Sequence, residues 1–290
     1  MSERTVGLLF VAAATVLWST AGFFVRLIDL DVWTTLGWRS LFGAAALGLI
    51  LLRQRRTAGS APASTAFGWV GWLAVLFSAV SMLGYIAALK LTSVANVLSI
   101  YATVPFVAAG IAFLWMGERP ERRVVVASLV AMIGVLVVVG FSTGAGDLAG
   151  NATAFLMTAS FAALLVMARR YPALGMVKVN ALGALACVLV CLPLMSDIVP
   201  GAYDLAILAL FGVICTGLAY VLFLTGGRRV PSGEAGLIAL LDIVLGPLWV
   251  FLAFSENPGA PTIVGGAVIL SSVAWYLWAG HRQRGLVVSA

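Results

Sequence analysis

Ten runs of apolar residues, each bounded by charge, glycine or proline, divide the chain. They cover approximately 7–27, 34–52, 67–89, 97–116, 124–141, 151–168, 176–195, 205–224, 237–254 and 262–280. Each approaches the roughly 20 residues that a helix needs to cross a bilayer. The pattern predicts an all-α integral membrane fold with ten transmembrane helices. The first run follows Arg4 as a signal sequence would, but its length suits a retained span better than a cleaved one.

Composition and charge add an orientation. Hydrophobic residues make up 62% of the 290 and charged ones 10%, against roughly 45–50% and about 25% in soluble proteins. Basic residues cluster between runs, at Arg4, at Arg53, Arg55 and Arg56, and at Arg119, Arg122 and Arg123. Further clusters are Arg169, Arg170 and Lys178, then Arg228 and Arg229, then Arg282 and Arg284. With the N-terminus inside, all of these face one side. Asp29, Asp31, Asp147, Asp197, Asp204 and Glu256 face the other. The positive-inside rule then places both termini in the cytoplasm. The net charge of +6 follows from this topology and implies no nucleic-acid partner. Cys187, Cys191 and Cys215 lie in apolar runs, and the single histidine, His281, lies in the basic tail. No disulfide framework, metal site, cofactor or histidine-based catalysis is expected.

The two halves repeat one another. The stretch from Ala88 to Asn96 leads through an apolar helix to Gly117-Glu118, and the stretch from Gly226 to Glu234 leads through another to Ser255-Glu256. A constant offset of 138 residues sets Lys90 over Arg228 and Asn96 over Glu234. Five spans per half is an odd number, so the second half enters the membrane from the opposite side. The expected architecture is two inverted five-helix repeats, 1–146 and 147–290, in one membrane domain.

These features carry a resemblance. Trp18-Ser19 in span one, Arg39 in span two and the passage from Tyr85 to Ser93 match, followed by Pro105, Gly117-Glu118-Arg119 and Ile133-Gly134. The second half adds Tyr220 to Arg229, Asp242 and Ser255-Glu256. Over nearly its whole length the chain resembles the drug/metabolite transporter superfamily, of the EamA-like ten-helix type. Within it, the chain is most similar to the bacterial aromatic amino acid exporters called YddG. The resemblance implies an inner-membrane carrier exporting small amphiphilic metabolites, aromatic and other hydrophobic amino acids among them. Two departures stand out. The family's second-half Glu-Pro is Asp242-Ile243 here, and its Gly-Glu before the last helix is Ser255-Glu256. They leave the second-half helix break without its usual proline.

Asp242 lies deep in span nine, where an aspartate costs about 2.5–3.5 kcal/mol on insertion scales. It either meets a substrate ammonium or a proton, or fixes its helix through hydroxyl or backbone bonds. Arg39, about five residues into span two, snorkels outward, anchors the span to a carboxylate such as Asp29, or attracts a substrate carboxylate. Trp33, Trp38, Trp69, Trp72, Trp115 and Trp278 suit an interfacial aromatic belt, whereas Trp18 is mid-span. Ser78, Met82 and Tyr85 share one helix face by spacing. Tyr101 and Tyr220 carry hydroxyls that need partners or cavity water, and Phe161 is the repeat mate of Trp18. Together with Ser19 these residues suit an apolar cavity with scattered hydroxyls, or ordinary packing. Pro105 and Pro247 are expected to bend spans four and nine, as hinges or as static kinks. Glycines at Gly43, Gly48, Gly265 and Gly266 permit close helix packing.

A membrane enzyme would need clustered catalytic groups, and a channel would need rings of charge or a carbonyl filter; neither pattern is present. The remaining readings are an amino acid exporter, facilitative or proton-coupled, and a multidrug or purine exporter. A sugar-phosphate exchanger would carry several basic residues inside its spans, and only Arg39 comes near that.

Overall fold

The computed structural model describes residues 2–57, 67–92, 94–139, 148–196, 198–255 and 259–288. Asp147, Asp197 and Glu256 lie outside that description, as do the side chains of Arg55, Lys90, Asn96, His281, Arg282 and Arg284. The boundary between the two predicted halves also falls outside it.

Every regular element described is helical. The first half comprises α1 (Glu3–Ser19), α2 (Ala21–Arg26), α3 (Val32–Thr57), α4 (Gly68–Leu91), α5 (Val94–Tyr101), α6 (Val104–Met116) and α7 (Arg122–Val139). The second comprises α8 (Leu148–Arg170), α9 (Met176–Cys191), α10 (Ala202–Phe211), a π-helical segment Gly212–Ala219, α11 (Tyr220–Gly227), α12 (Ser232–Ala239), α13 (Asp242–Phe254) and α14 (Gly259–Val288). Among the described residues, eight helical stretches are long and apolar enough to cross a membrane, and α6 is apolar but shorter.

Two interrupted stretches carry the clearest internal likeness. The pair α5 and α6 and the pair α12 and α13 start and end at positions 138 residues apart, so each pair breaks at the same place. In the first, Pro105 has no N–H to offer the Tyr101 carbonyl four residues back, and its ring crowds that turn. In the second there is no proline at the break. Leu240, Leu241, Ile243 and Val244 instead donate to the carbonyls three residues before them, at 3.1–3.2 Å, which tightens one turn out of α geometry. Pro247 lies inside α13, beyond the break. The interruption of this stretch falls at Leu240–Leu241, ahead of Pro247.

A third interruption follows Trp18-Ser19. Ser19 Oγ donates to the Val16 carbonyl at 2.7 Å and Thr20 Oγ1 to the Leu17 carbonyl at 2.6 Å. Such bonds to carbonyls of the preceding turn compete with the helix ladder and bend it.

The halves are interleaved. α7 lies along α14, α4 packs on α8 and α9, α3 on α9 and the π segment, and α1 on α11. α12 is buried throughout, and α8 is buried from Ser160 to Ala168. Gly43 and Gly212 mark one close crossing, where a Cβ on Gly212 would stand 2.3 Å from the Arg39 carbonyl oxygen. Gly48 has open space around it, so it is no packing device.

Candidate functional site

The basic end of the molecule is stitched together across the halves. Arg4 pairs with the fully buried Glu234 at 2.8 Å and donates to the Tyr276 hydroxyl at 2.9 Å. Arg229 pairs with Glu3 at 2.8 Å, and Arg169 with Glu118 at 2.6 Å. Arg123 donates to the Ala279 carbonyl at 2.9 Å. A cavity of about 140 Å³ lies here, lined by Glu118, Arg119, Glu121, Ser232 and Glu234 among others. Arg228 donates to the Leu174 carbonyl; burial and the neighbouring Arg229 pull its pKa down.

At the opposite end polar contacts also join the halves. Asp31 accepts from Ser196 and Thr34 hydroxyls, and Trp38 Nε1 donates to the Ile198 carbonyl at 3.2 Å. Burial pushes the Asp31 carboxyl up. The hydrogen bonds from Ser196, Thr34 and the Thr34 and Trp33 amides outweigh it and hold the group well below the usual carboxylate range.

Between these ends lies an aromatic cluster. The Trp18 ring stands 4.6 Å from Phe223, 5.0 Å from Tyr220 and 5.8 Å from Phe161, centroid to centroid. Phe161 adds Phe223 at 5.6 Å and Tyr101 at 6.3 Å. Trp18 Nε1 donates to the Cys215 carbonyl at 2.9 Å. That carbonyl belongs to the π segment, whose altered ladder leaves backbone groups at an angle to the helix. Trp18 is half-buried, so part of its ring remains presented.

Asp242 opens α13 immediately after the break and is half-buried, and its neighbours Leu240, Leu241 and Ile243 pack in the same core as Phe161, Phe223 and Trp18. Trp18, Tyr101, Phe161 and Tyr220 thus come together, with Asp242 at the edge of the same core. Tyr85, on α4, is 38% exposed. Ser19 and Ser78 make other contacts. Ser19 is enclosed and accepts from Trp249 Nε1 at 2.8 Å. Ser78, fully buried, donates to Asn180 Oδ1 at 2.9 Å, which commits it to the α4–α9 interface. Met82 is buried among Ala44, Ala184 and Cys187, in a cluster on which Tyr220 packs. Pro105 is buried under Gly236 of α12, where a Cβ would meet its Cα at 3.1 Å. Arg39 does not anchor to Asp29; its guanidinium lies over the Phe211 ring, 4.8 Å from the centroid.

Sequence reasoning missed Phe223, Trp249, Asn180 and the Cys215 carbonyl. The three-residue spacing from Tyr220 was a signal for Phe223. Asn180, a lone amide in an apolar run, was another. No side chain announces a π segment.

A family model described as the EamA-like transporter family matches the chain twice, over residues 5–140 and 148–278. The chain belongs to this family. As an EamA-like transporter it is a multi-pass membrane protein that moves small metabolites, and the double match agrees with the repeated helix break. A solved crystal structure of another protein shares the fold, with a TM-score of 0.80 over 93% of this chain and 96% of that one, at 20% identity. No curated protein matches significantly.

Proposed function

We propose that this EamA-like transporter exports aromatic and other hydrophobic amino acids across the bacterial inner membrane by alternating access. Ten spans arranged as inverted halves, with both termini cytoplasmic, would enclose one chamber near the bilayer midplane. Trp18, Phe161, Tyr101 and Tyr220 form its apolar wall, which suits an aromatic or aliphatic side chain. Asp242 meets the substrate ammonium. The observation that carries this reading is the placement of Asp242 at a helix break, beside the aromatic cluster and without a cation paired to it among the described residues. A membrane-embedded carboxylate is expensive unless it has such work. The same lack of a partner favours a second reading, in which Asp242 carries a proton and export is proton-coupled.

The test is uptake by proteoliposomes of labelled amino acids, with a proton gradient imposed and then collapsed. Phenylalanine and tryptophan are expected to be carried without a gradient. Asp242→Asn is expected to lower phenylalanine transport at least tenfold while the purified protein stays folded. Failure to carry any amino acid, with purines or cationic dyes carried instead, overturns the substrate assignment.

A further inference from the structure

Arg39 is the eighth residue of α3, so it stands roughly 10 Å from that helix's start at 1.5 Å per residue. Phe211, beneath its guanidinium, is 1% exposed and stacked on Phe24 at 5.2 Å and 15°. Phe211 and Phe24 pack with Cys215 and Trp18. The cation is therefore fixed on the flank of the aromatic cluster. Its backbone is fixed too, because the Arg39 carbonyl meets Gly212 at a close helix crossing.

This geometry leaves the guanidinium's hydrogen bonds unused. A ring contact occupies the flat face and leaves the N–H edge free. Nε is buried with no hydrogen-bond partner, and among the described residues no carboxylate pairs with Arg39. Asp31, on the turn that opens α3, is already held by Ser196, Thr34 and backbone amides. A cation fixed inside a membrane span without a counter-ion is costly, and an arriving anion would relieve that cost. The planar fork of a guanidinium matches a carboxylate in two parallel hydrogen bonds.

We infer that Arg39 is the carboxylate anchor of the substrate site, so that the transporter selects amphiphiles bearing a carboxylate over amines and neutral compounds. The inference rests on the proposed central chamber and narrows its ligands. Among the described residues Arg39 and Asp242 form no ion pair with each other.

Equilibrium binding to the purified protein separates the two charges, using L-phenylalanine, 3-phenylpropionate (no ammonium) and phenethylamine (no carboxylate). Arg39→Gln is expected to weaken phenylalanine and phenylpropionate at least tenfold and to leave phenethylamine within twofold. Asp242→Asn is expected to weaken phenylalanine and phenethylamine and to spare phenylpropionate. Arg39→Lys keeps the charge but loses the fork, so the phenylalanine-to-phenethylamine affinity ratio should fall to an intermediate value. That variant also serves if Arg39→Gln does not fold. Equal weakening of all three ligands, or no weakening, overturns the role of Arg39 and leaves the chamber standing. If the unaltered protein binds none of the three, the chamber reading and this inference fail together.

Discussion

Gly117 and Ser255, 138 residues apart, each close an apolar helix in the left-handed conformation, with φ of 67° and 55°. Left-handed geometry costs an L-residue about 1–2 kcal/mol, while glycine's extra flexibility costs about 0.5–1 kcal/mol on folding. Gly117→Ala is expected to lower stability by about 1 kcal/mol or more, and Ser255→Gly to leave it unchanged or raise it slightly. Thermal unfolding of the purified variants measures both. A neutral Gly117→Ala would show that this turn relaxes.

Trp18 ties the aromatic cluster to the π segment through one hydrogen bond. Trp18→Phe keeps an aromatic ring but strips the Cys215 carbonyl of its donor, at a cost of about 1–3 kcal/mol. Lower thermal stability together with reduced transport is expected. Full stability would mean that another donor reaches the carbonyl.

The Gly212 crossing offers an internal comparison with Gly48. A methyl group at Gly212 meets backbone at 2.3 Å and forces the helices apart, so Gly212→Ala should cost about 1–3 kcal/mol. Gly48→Ala, in open space, should be neutral or stabilising by up to about 1 kcal/mol, because alanine is the better helix former. Matching effects in thermal unfolding would deny the close contact.

Asp31 gives the fold a pH dependence at one end. Its carboxyl is held below the ordinary value, near 3.9 in an unfolded chain. The stabilisation it supplies is therefore full above that value and is lost as pH falls through it toward the depressed folded value. Asp31→Asn is expected to lower the unfolding temperature at pH 7 and to reduce the further loss on acidification. A variant that loses as much stability on acidification as the parent would assign the acid sensitivity elsewhere.

Much of the architecture was legible because hydropathy and repeat spacing depend on local chemistry. The 138-residue offset, read from Lys90, Arg228, Glu118 and Glu256, also relates the helix breaks of the structure. The meeting of Trp18 with Phe161 and Tyr220 was legible as mid-span aromatics. Helical spacing gives Ser78 and Met82 a shared face but not what that face meets: Ser78 bonds Asn180 of α9, and Met82 packs with Ala184 and Cys187 of α9 in a cluster that Tyr220 joins. The break at Leu240–Leu241 carried no proline or glycine, and the π segment left no trace in residue type. Both are backbone events decided by neighbouring helices.

Protection of a cysteine at position 85 tests the central claim most directly. In a Tyr85→Cys variant whose Cys187, Cys191 and Cys215 are replaced by alanine, a water-soluble thiol reagent should label the new site. Saturating L-phenylalanine should slow that labelling several-fold, while aspartate should not. Labelling that proceeds at the same rate with and without phenylalanine, in a variant that still carries phenylalanine, would place the substrate path elsewhere.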